Sequence, residues 1–365
     1  MNWPVSTPTL LVDKAKCLAN IKAMADKAKR NDIRLRPHFK THQSRTIGNW
    51  FKDFGVDAIT VSSLKMAEYF ALDGWQDITV AFPVNILEME LINQLAATVN
   101  LNLVVESGES LQALKSGLRF PVNVFIKVDA GYGRTGIDAS DHDTIAALIE
   151  SVIATGHTIF KGFLSHSGHS YYTRHDLQSL NDIHDKSRSA NDRLRVLSAN
   201  YIDDCEISVG DTPTCSLVED FSWATEIRPG NFVFYDLSQW MIGSCSLEQI
   251  SVALACPVVS KHADRSEIIL YGGGVHFSKD HAEMPGTDAT FYGLLVEWNG
   301  KNWNTTGTSN YLRSISQEHG ILKVEPDLFE KYKVGDIALV LPVHSCMTAD
   351  LLRQYLTTDG EWINE

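Results

Sequence analysis

Between about residue 30 and residue 240, short β-branched apolar runs alternate with longer stretches whose apolar positions recur at helical spacing. That alternation predicts repeated strand–helix units. The strand-like runs fall at 33–36, 58–61, 78–81, 101–105, 122–128, 159–164, 206–209 and 225–227, with helical patterns such as 64–72, 86–97 and 144–154 between them. Eight units predict an α/β chain with a (β/α)8 TIM-type barrel rather than an open doubly wound sheet. The earlier run at 9–12 is strand-like, and Asp13 is placed to cap a helix through Ala28. Because this run precedes the eight, it points to a different layer. After Gly243 the texture changes to strand-like runs at 250–259, 267–271, 291–298 and 336–343, separated by Gly, Asn and Asp. These predict a mainly antiparallel β domain. The expected organisation is therefore a barrel over 14–243 and a β domain built from 1–13 plus 244–365.

Composition narrows the function. The 365 residues are 44% hydrophobic and 21% charged, values of an ordinary folded chain. A net charge of -13 and a pI near 5.4 argue against a surface for nucleic acid or anionic membrane. The start Met1-Asn2-Trp3-Pro4 lacks a basic stretch followed by an apolar run. No segment approaches the roughly 20 apolar residues of a spanning helix. The expectation is a cytoplasmic protein with neither membrane nor nucleic-acid partner. Six cysteines, Cys17, Cys205, Cys215, Cys245, Cys256 and Cys346, lie far apart without CxxC spacing, which reads as reduced thiols.

In such barrels the working groups sit at the C-terminal ends of the strands, and phosphate is often held after the seventh and eighth. The polar clusters obey that rule. Arg36-Pro37-His38-Phe39-Lys40-Thr41-His42 follows the first strand. Asp129-Ala130-Gly131-Tyr132-Gly133-Arg134-Thr135-Gly136 follows the fifth, and His166-Ser167-Gly168-His169-Ser170-Tyr171-Tyr172 the sixth. Gly210-Asp211-Thr212-Pro213-Thr214 and Arg228-Pro229-Gly230-Asn231 follow the seventh and eighth, and their glycines, hydroxyls and backbone donors suit a phosphate dianion. A lysine on the same rim as a phosphate cradle suggests Schiff-base chemistry, which needs both held rigidly. Near the far end, His344 and Cys346 lie two apart after the apolar run 338–343, which reads as a strand placing both side chains on one face. Imidazole and thiolate are good zinc ligands, and two of them leave positions open for water or substrate.

In this order, from Thr7-Pro8-Thr9 to His344-Ser345-Cys346, the segments resemble the fold-type III pyridoxal-phosphate enzymes, alanine-racemase-like barrels, and within them the D-serine dehydratase and D-threonine aldolase branch. The likeness spans nearly the whole chain. It implies that Lys40 is the Schiff-base lysine and later moves the α-proton. It implies that Arg134 lies near the cofactor's phenolic oxygen, where its charge favours the phenolate. His166 and Tyr171 resemble the residues lining the cofactor ring, with Tyr172 the alternative register for the latter. Gly210, Thr212, Gly230 and Asn231 resemble the phosphate contacts. His344 and Cys346 resemble the metal pair for Zn2+ or another divalent metal. The thiol at the second position matches the dehydratases, where the aldolases show Asp. A homodimer is implied as well.

The chemistry that follows is dehydration of a D-β-hydroxy-α-amino acid such as D-serine or D-threonine to a 2-oxo acid and ammonia. Retro-aldol cleavage to glycine and an aldehyde, dehydration of D-3-hydroxyaspartate, racemisation and non-catalytic cofactor binding are the alternatives. A second carboxylate would call for an extra cation, with Arg174 a candidate. A racemase would need a second acid/base, for which Tyr271 and Tyr292 are available. Gly272-Gly273-Gly274 reads as a tight strand turn, and His38 and His42 as groups that pack beside the lysine.

Overall fold

The computed structural model describes residues 3–154, 156–284 and 289–364. By contacts the chain divides into two units: Met1–Ile21, Thr41–Ile47 and Asn231–Glu365 form one, and Lys22–Lys40 with Gly48–Gly230 form the other.

The second unit is the barrel, and the expected count of eight parallel strands holds. The strands Arg34–Leu35, Glu226–Ile227, Glu206–Val209, Thr158–Leu164, Val122–Asp129, Asn100–Val105, Asp77–Pro83 and Ala58–Val61 pair in that spatial order. The ends meet through a parallel bridge between His38 and Thr60, with Phe39 N–H donating to the Thr60 carbonyl at 2.8 Å. Val122–Asp129 is buried almost throughout, as expected of a parallel strand covered on both faces. One buried cation braces the interior: Arg36 donates to Glu226 at 2.7 Å and to Asp77 at 2.6 Å, so three strands share one guanidinium. Helices such as Leu64–Ala71 and Gly108–Gly117 begin where Ser63 and Ser107 cap their first turns.

The other unit is built on an antiparallel sheet. Glu267–Tyr271, His319–Lys323, Tyr311–Ile315, Gly293–Trp298, Ile337–Pro342 and Val252–His262 pair in sequence around a ring, since the last also pairs with the first. Thr9–Val12 adds to Val252–His262 antiparallel and to Gln354–Thr357 parallel. The early run thus belongs to the β sheet. Residues 14–21, 41–47 and 231–243 also pack with this unit, including the loop directly after Lys40. Among the described residues no helix is long and apolar enough to cross a membrane.

Gly272-Gly273-Gly274 is explained by close backbone approach. A Cβ at Gly272 would lie 2.4 Å from Cys256 Sγ, and one at Gly273 2.5 Å from the Ser316 and Gln317 carbonyl oxygens.

Candidate active site

Phe39 fixes the backbone beside Lys40. It is fully buried, with ring centroids of Phe51, Phe70 and Trp75 at 5.1, 5.0 and 5.2 Å. Lys40 is exposed next to this anchor. Sinking one residue into the core and leaving its neighbour at the rim gives the lysine a defined origin with a free reach.

After the fifth strand, the Asp129 carboxylate accepts the N–H groups of Gly131, Tyr132 and Gly133 at 2.9, 2.8 and 2.7 Å. Gly131, Gly133 and Gly136 have positive φ, which is why this tight loop is glycine-rich. The Arg134 guanidinium lies 5.2 Å from the centre of the Tyr132 ring. That ring packs on His166 and His169 at 5.9 Å each, and a Cβ at Gly168 would strike it at 2.4 Å. Tyr132 therefore interlocks the loops after the fifth and sixth strands.

His166 Nδ1 is 2.5 Å from the Gly210 carbonyl oxygen, which makes Nδ1 the protonated nitrogen of a neutral ring. Burial, with help from the Arg134, Arg228 and Lys40 charges, pulls its pKa down to about 3. The Tyr171 hydroxyl accepts from Thr212 N–H at 3.3 Å, whereas Tyr172 is 74% exposed. The geometry favours Tyr171 of the two. Asp211 caps the short helix Thr212–Leu217 through Thr214 N–H at 2.8 Å and also accepts from Ser170 Oγ at 2.7 Å. A Cβ at Gly210 would stand 2.8 Å from Arg228 N.

Sequence reasoning passed over three barrel residues here. Arg228 is buried and donates to Ser208 Oγ at 2.6 Å and to the Ser165 carbonyl at 2.5 Å, tying the bases of the three loops together. Lys127 is buried and donates to the Val128 carbonyl at 3.1 Å; burial, then Arg228 and Arg134, bring it down to about 8. Tyr132 is the third. Arg228 and Tyr132 fall in segments read as motifs and Lys127 in a strand-like run, but a buried cation has no periodic signature. Arg174 is exposed, as a surface charge would be.

The His344/Cys346 pair is built differently from expectation. The strand ends at Pro342, His344 is the N-cap of the helix Ser345–Leu352, and Cys346 lies in its first turn. The shared face of a strand is replaced by a strand-to-helix turn, on which the two side chains lie close enough for each to shift the other's titration. Cys346 Sγ is 3.3 Å from both Thr41 Oγ1 and Asn231 Nδ2. The Asn231 side-chain amide also donates to Asp236 at 2.7 Å and to Ser345 Oγ at 3.0 Å. Burial alone would lower the His344 pKa, but the Cys346 thiolate and Asp236 outweigh it and carry it up to about 10. Burial would raise the Cys346 thiol, and the His344 charge reverses that and brings it below its usual range. Among the described residues no group of three His, Cys, Asp or Glu side chains is disposed to hold a metal ion. In the same unit Tyr271 packs on His276 and Tyr292 on His281, at 5.6 and 5.8 Å.

A parallel eight-stranded barrel with a lysine after its first strand, joined to an antiparallel β domain, is the architecture of fold-type III pyridoxal-phosphate enzymes. The chain belongs to the family of the alanine racemase N-terminal domain, which matches residues 12–237, and a serine dehydratase domain matches residues 251–358. Across 99% of its length it is 29% identical to a D-serine dehydratase of Dictyostelium discoideum, covering 95% of that protein. It is also 29% identical to a D-threo-3-hydroxyaspartate dehydratase of Delftia sp. strain HT23, with 98% and 95% of the two chains covered. The solved structure of the latter superposes with a TM-score of 0.89 over 99% of this chain and 98% of that one, at 27% identity. A cysteine-to-alanine mutant of that enzyme is described as a metal-free form. A D-threonine aldolase of Arthrobacter sp. is 25% identical over 95% of this chain and 87% of its own.

Proposed function

We propose that the protein is a pyridoxal-phosphate- and zinc-dependent lyase that removes water from a D-β-hydroxy-α-amino acid, D-serine or D-threonine in the first instance. The observation that carries this reading is the His344–Cys346 pair, an imidazole and a thiol two residues apart on one strand-to-helix turn, in a chain whose barrel presents Lys40.

The residues suit both groups. On the barrel side, Gly210 has no room for a Cβ, and Gly210, Thr212 and Gly230, with the backbone N–H of Asn231, supply uncharged donors for a phosphate dianion. On the turn, imidazole and thiolate make a zinc donor set with open positions. When bound, pyridoxal phosphate supplies the electron sink for charge developed at Cα, and zinc the Lewis acid that makes the β-hydroxyl a better leaving group.

With the cofactor bound, Lys40 Nζ would hold its aldehyde in the resting protein and, when released, would be the base that takes the proton from Cα. Arg134 places a cation where a phenolate is favoured. His166, neutral, keeps the Gly210 carbonyl occupied so that its oxygen is not offered to a phosphate. Breaking the Cα–H and Cβ–OH bonds would release one water, and addition of one water to the released enamine would give the 2-oxo acid and ammonia. We also read the enzyme as a cytoplasmic homodimer acting on a free D-amino acid; its six free cysteines support a reducing compartment, and light scattering checks the dimer mass.

Incubation with D-serine and D-threonine, measuring 2-oxo acid, ammonia, glycine and aldehyde separately, tests the reaction. Equal 2-oxo acid and ammonia is the expected result; glycine plus aldehyde alone overturns it. D-threo-3-hydroxyaspartate as a third substrate ranks a second carboxylate, and α-proton exchange with both enantiomers exposes a racemase.

A further inference from the structure

Asp236 is fully buried, yet it forms no salt bridge to a lysine or arginine among the described residues. Its Oδ1 accepts Gln239 N–H at 2.9 Å and so caps the helix Leu237–Ile242. Its Oδ2 gathers the Asn231 amide at 2.7 Å, Ser345 N–H at 3.0 Å and Ser345 Oγ at 3.1 Å, and faces His344 Nδ1 at 3.7 Å. Helix capping employs one oxygen. The other is spent on the turn that bears His344 and Cys346, and the Asn231 amide bound to it also touches Cys346 Sγ at 3.3 Å.

Resting on the zinc reading above, we propose that Asp236, with Asn231 as its relay to sulfur, is the positioning carboxylate of the His344/Cys346 metal pair. A buried carboxylate facing Nδ1 keeps the proton on that nitrogen, so that it is the Nε2 proton which a metal displaces to reach a lone pair. The Asn231 amide donates to the thiolate, which stabilises its negative charge and fixes its direction. The Ser345 contacts hold the backbone between the two donors. Asp236 touches no reacting atom in this scheme; it acts through His344 and, by way of Asn231, through Cys346.

The test uses the enzyme reconstituted with pyridoxal phosphate. Zinc affinity is measured by competition with a chromophoric chelator, and the cobalt-substituted form is scanned for its thiolate-to-cobalt band. In Asp236→Asn zinc binding weakens about 10–100-fold, while the cobalt band and the cofactor absorbance persist, because both donors and Lys40 are intact. Unchanged zinc affinity in folded Asp236→Asn overturns the role, as does loss of cofactor absorbance in parallel with zinc, which marks a general structural defect. Should Asp236→Asn fail to fold, Asn231→Ala is read the same way: weaker zinc with a retained cofactor band supports the relay, and wild-type affinity overturns it. Wild-type enzyme that takes up no zinc sinks the metal reading itself, and is told apart from failure of the Asp236 role because that role fails only in the variants.

Discussion

The barrel rim and the His344 turn are built with opposite charge, although both belong to one acidic chain. Around His166 the acting charges are Arg134, Arg228 and Lys40, and with burial they hold the imidazole neutral, near 3. Around His344 they are Cys346, Asp236 and Asp280, and they hold the imidazole charged, up to about 10. The same side chain is a neutral hydrogen-bond donor in one region and a cation in the other. The difference fits the ligands proposed for each region: cations beside the rim histidine favour phosphate, phenolate and carboxylate, and carboxylates and a thiolate beside the turn histidine favour a divalent metal. A net charge of -13 conceals this local division.

The sharpest way to break the comparison is to remove one donor from each region. Lys40→Ala is expected to lose about 10³-fold or more in turnover together with the absorbance of the bound cofactor, while zinc affinity stays at the wild-type value. Cys346→Ala reverses the pattern: zinc is lost, the cofactor band remains, and turnover falls about 10²-fold or more. Borohydride reduction and peptide mass analysis, with chelator titration alongside, read both arms. A single substitution that removes both ligands would show that the two regions are not separate donor sets. A smaller effect is expected at Gly210. An alanine there would push its Cβ to 2.8 Å from Arg228 N, so backbone must shift, at about 1–3 kcal/mol. Cofactor affinity should fall while zinc affinity does not, and chemical denaturation with a zinc titration checks both.

The two regions also differ in how far the sequence reveals them. Barrel strands announce themselves by composition: the runs at 58–61 and 206–209 coincide with Ala58–Val61 and Glu206–Val209. The runs at 33–36 and 225–227 shrink to two-residue strands, because pairing there passes into isolated bonds such as Arg36 N–H to the Ile227 carbonyl and His38 N–H to the Pro229 carbonyl. Rim residues are legible because strand ends follow from the period. The turn is not. Apolar alternation up to Val343 gives no sign that the ladder to Gly293 stops at Pro342, so His344 and Cys346 looked like one strand face when they cap and open a helix. The Asp236–Ser345 and Thr41–Cys346 contacts span 109 and 305 positions, a separation no local pattern reports.

Neutral histidine is not a property of the rim alone, and pH separates the two causes. His42 belongs to the same unit as His344, but burial pulls it down to about 3. Between about pH 6.5 and 3 the unfolded chain binds a proton that the folded chain refuses, so stability falls as the pH drops through that window. For fully buried His42 the slope is about 1.4 kcal/mol per pH unit. His166, also held near 3, adds to the same window, so urea unfolding of cofactor-free protein at several pH values should show a slope that His42→Asn reduces by about 1.4 kcal/mol per pH unit. An unchanged slope would mean that His42 is not held neutral by its surroundings.

The smallest expected effect settles which of two adjacent tyrosines serves the rim. Tyr171 Oη accepts from Thr212 N–H at 3.3 Å, on the turn suited to phosphate, and its ring centroid lies 6.4 Å from that of His166. Tyr172 is 74% exposed. Removing the Tyr171 hydroxyl takes away one neutral hydrogen bond, about 0.5–1.5 kcal/mol, so Tyr171→Phe should weaken cofactor binding by roughly ten-fold at most and leave zinc untouched. Tyr172→Phe should change neither. Equilibrium titration of pyridoxal phosphate into the two variants reads the difference. Were Tyr172→Phe the weaker binder, the register of the loop after the sixth strand would shift by one, and the Thr212 contact would have to be reassigned.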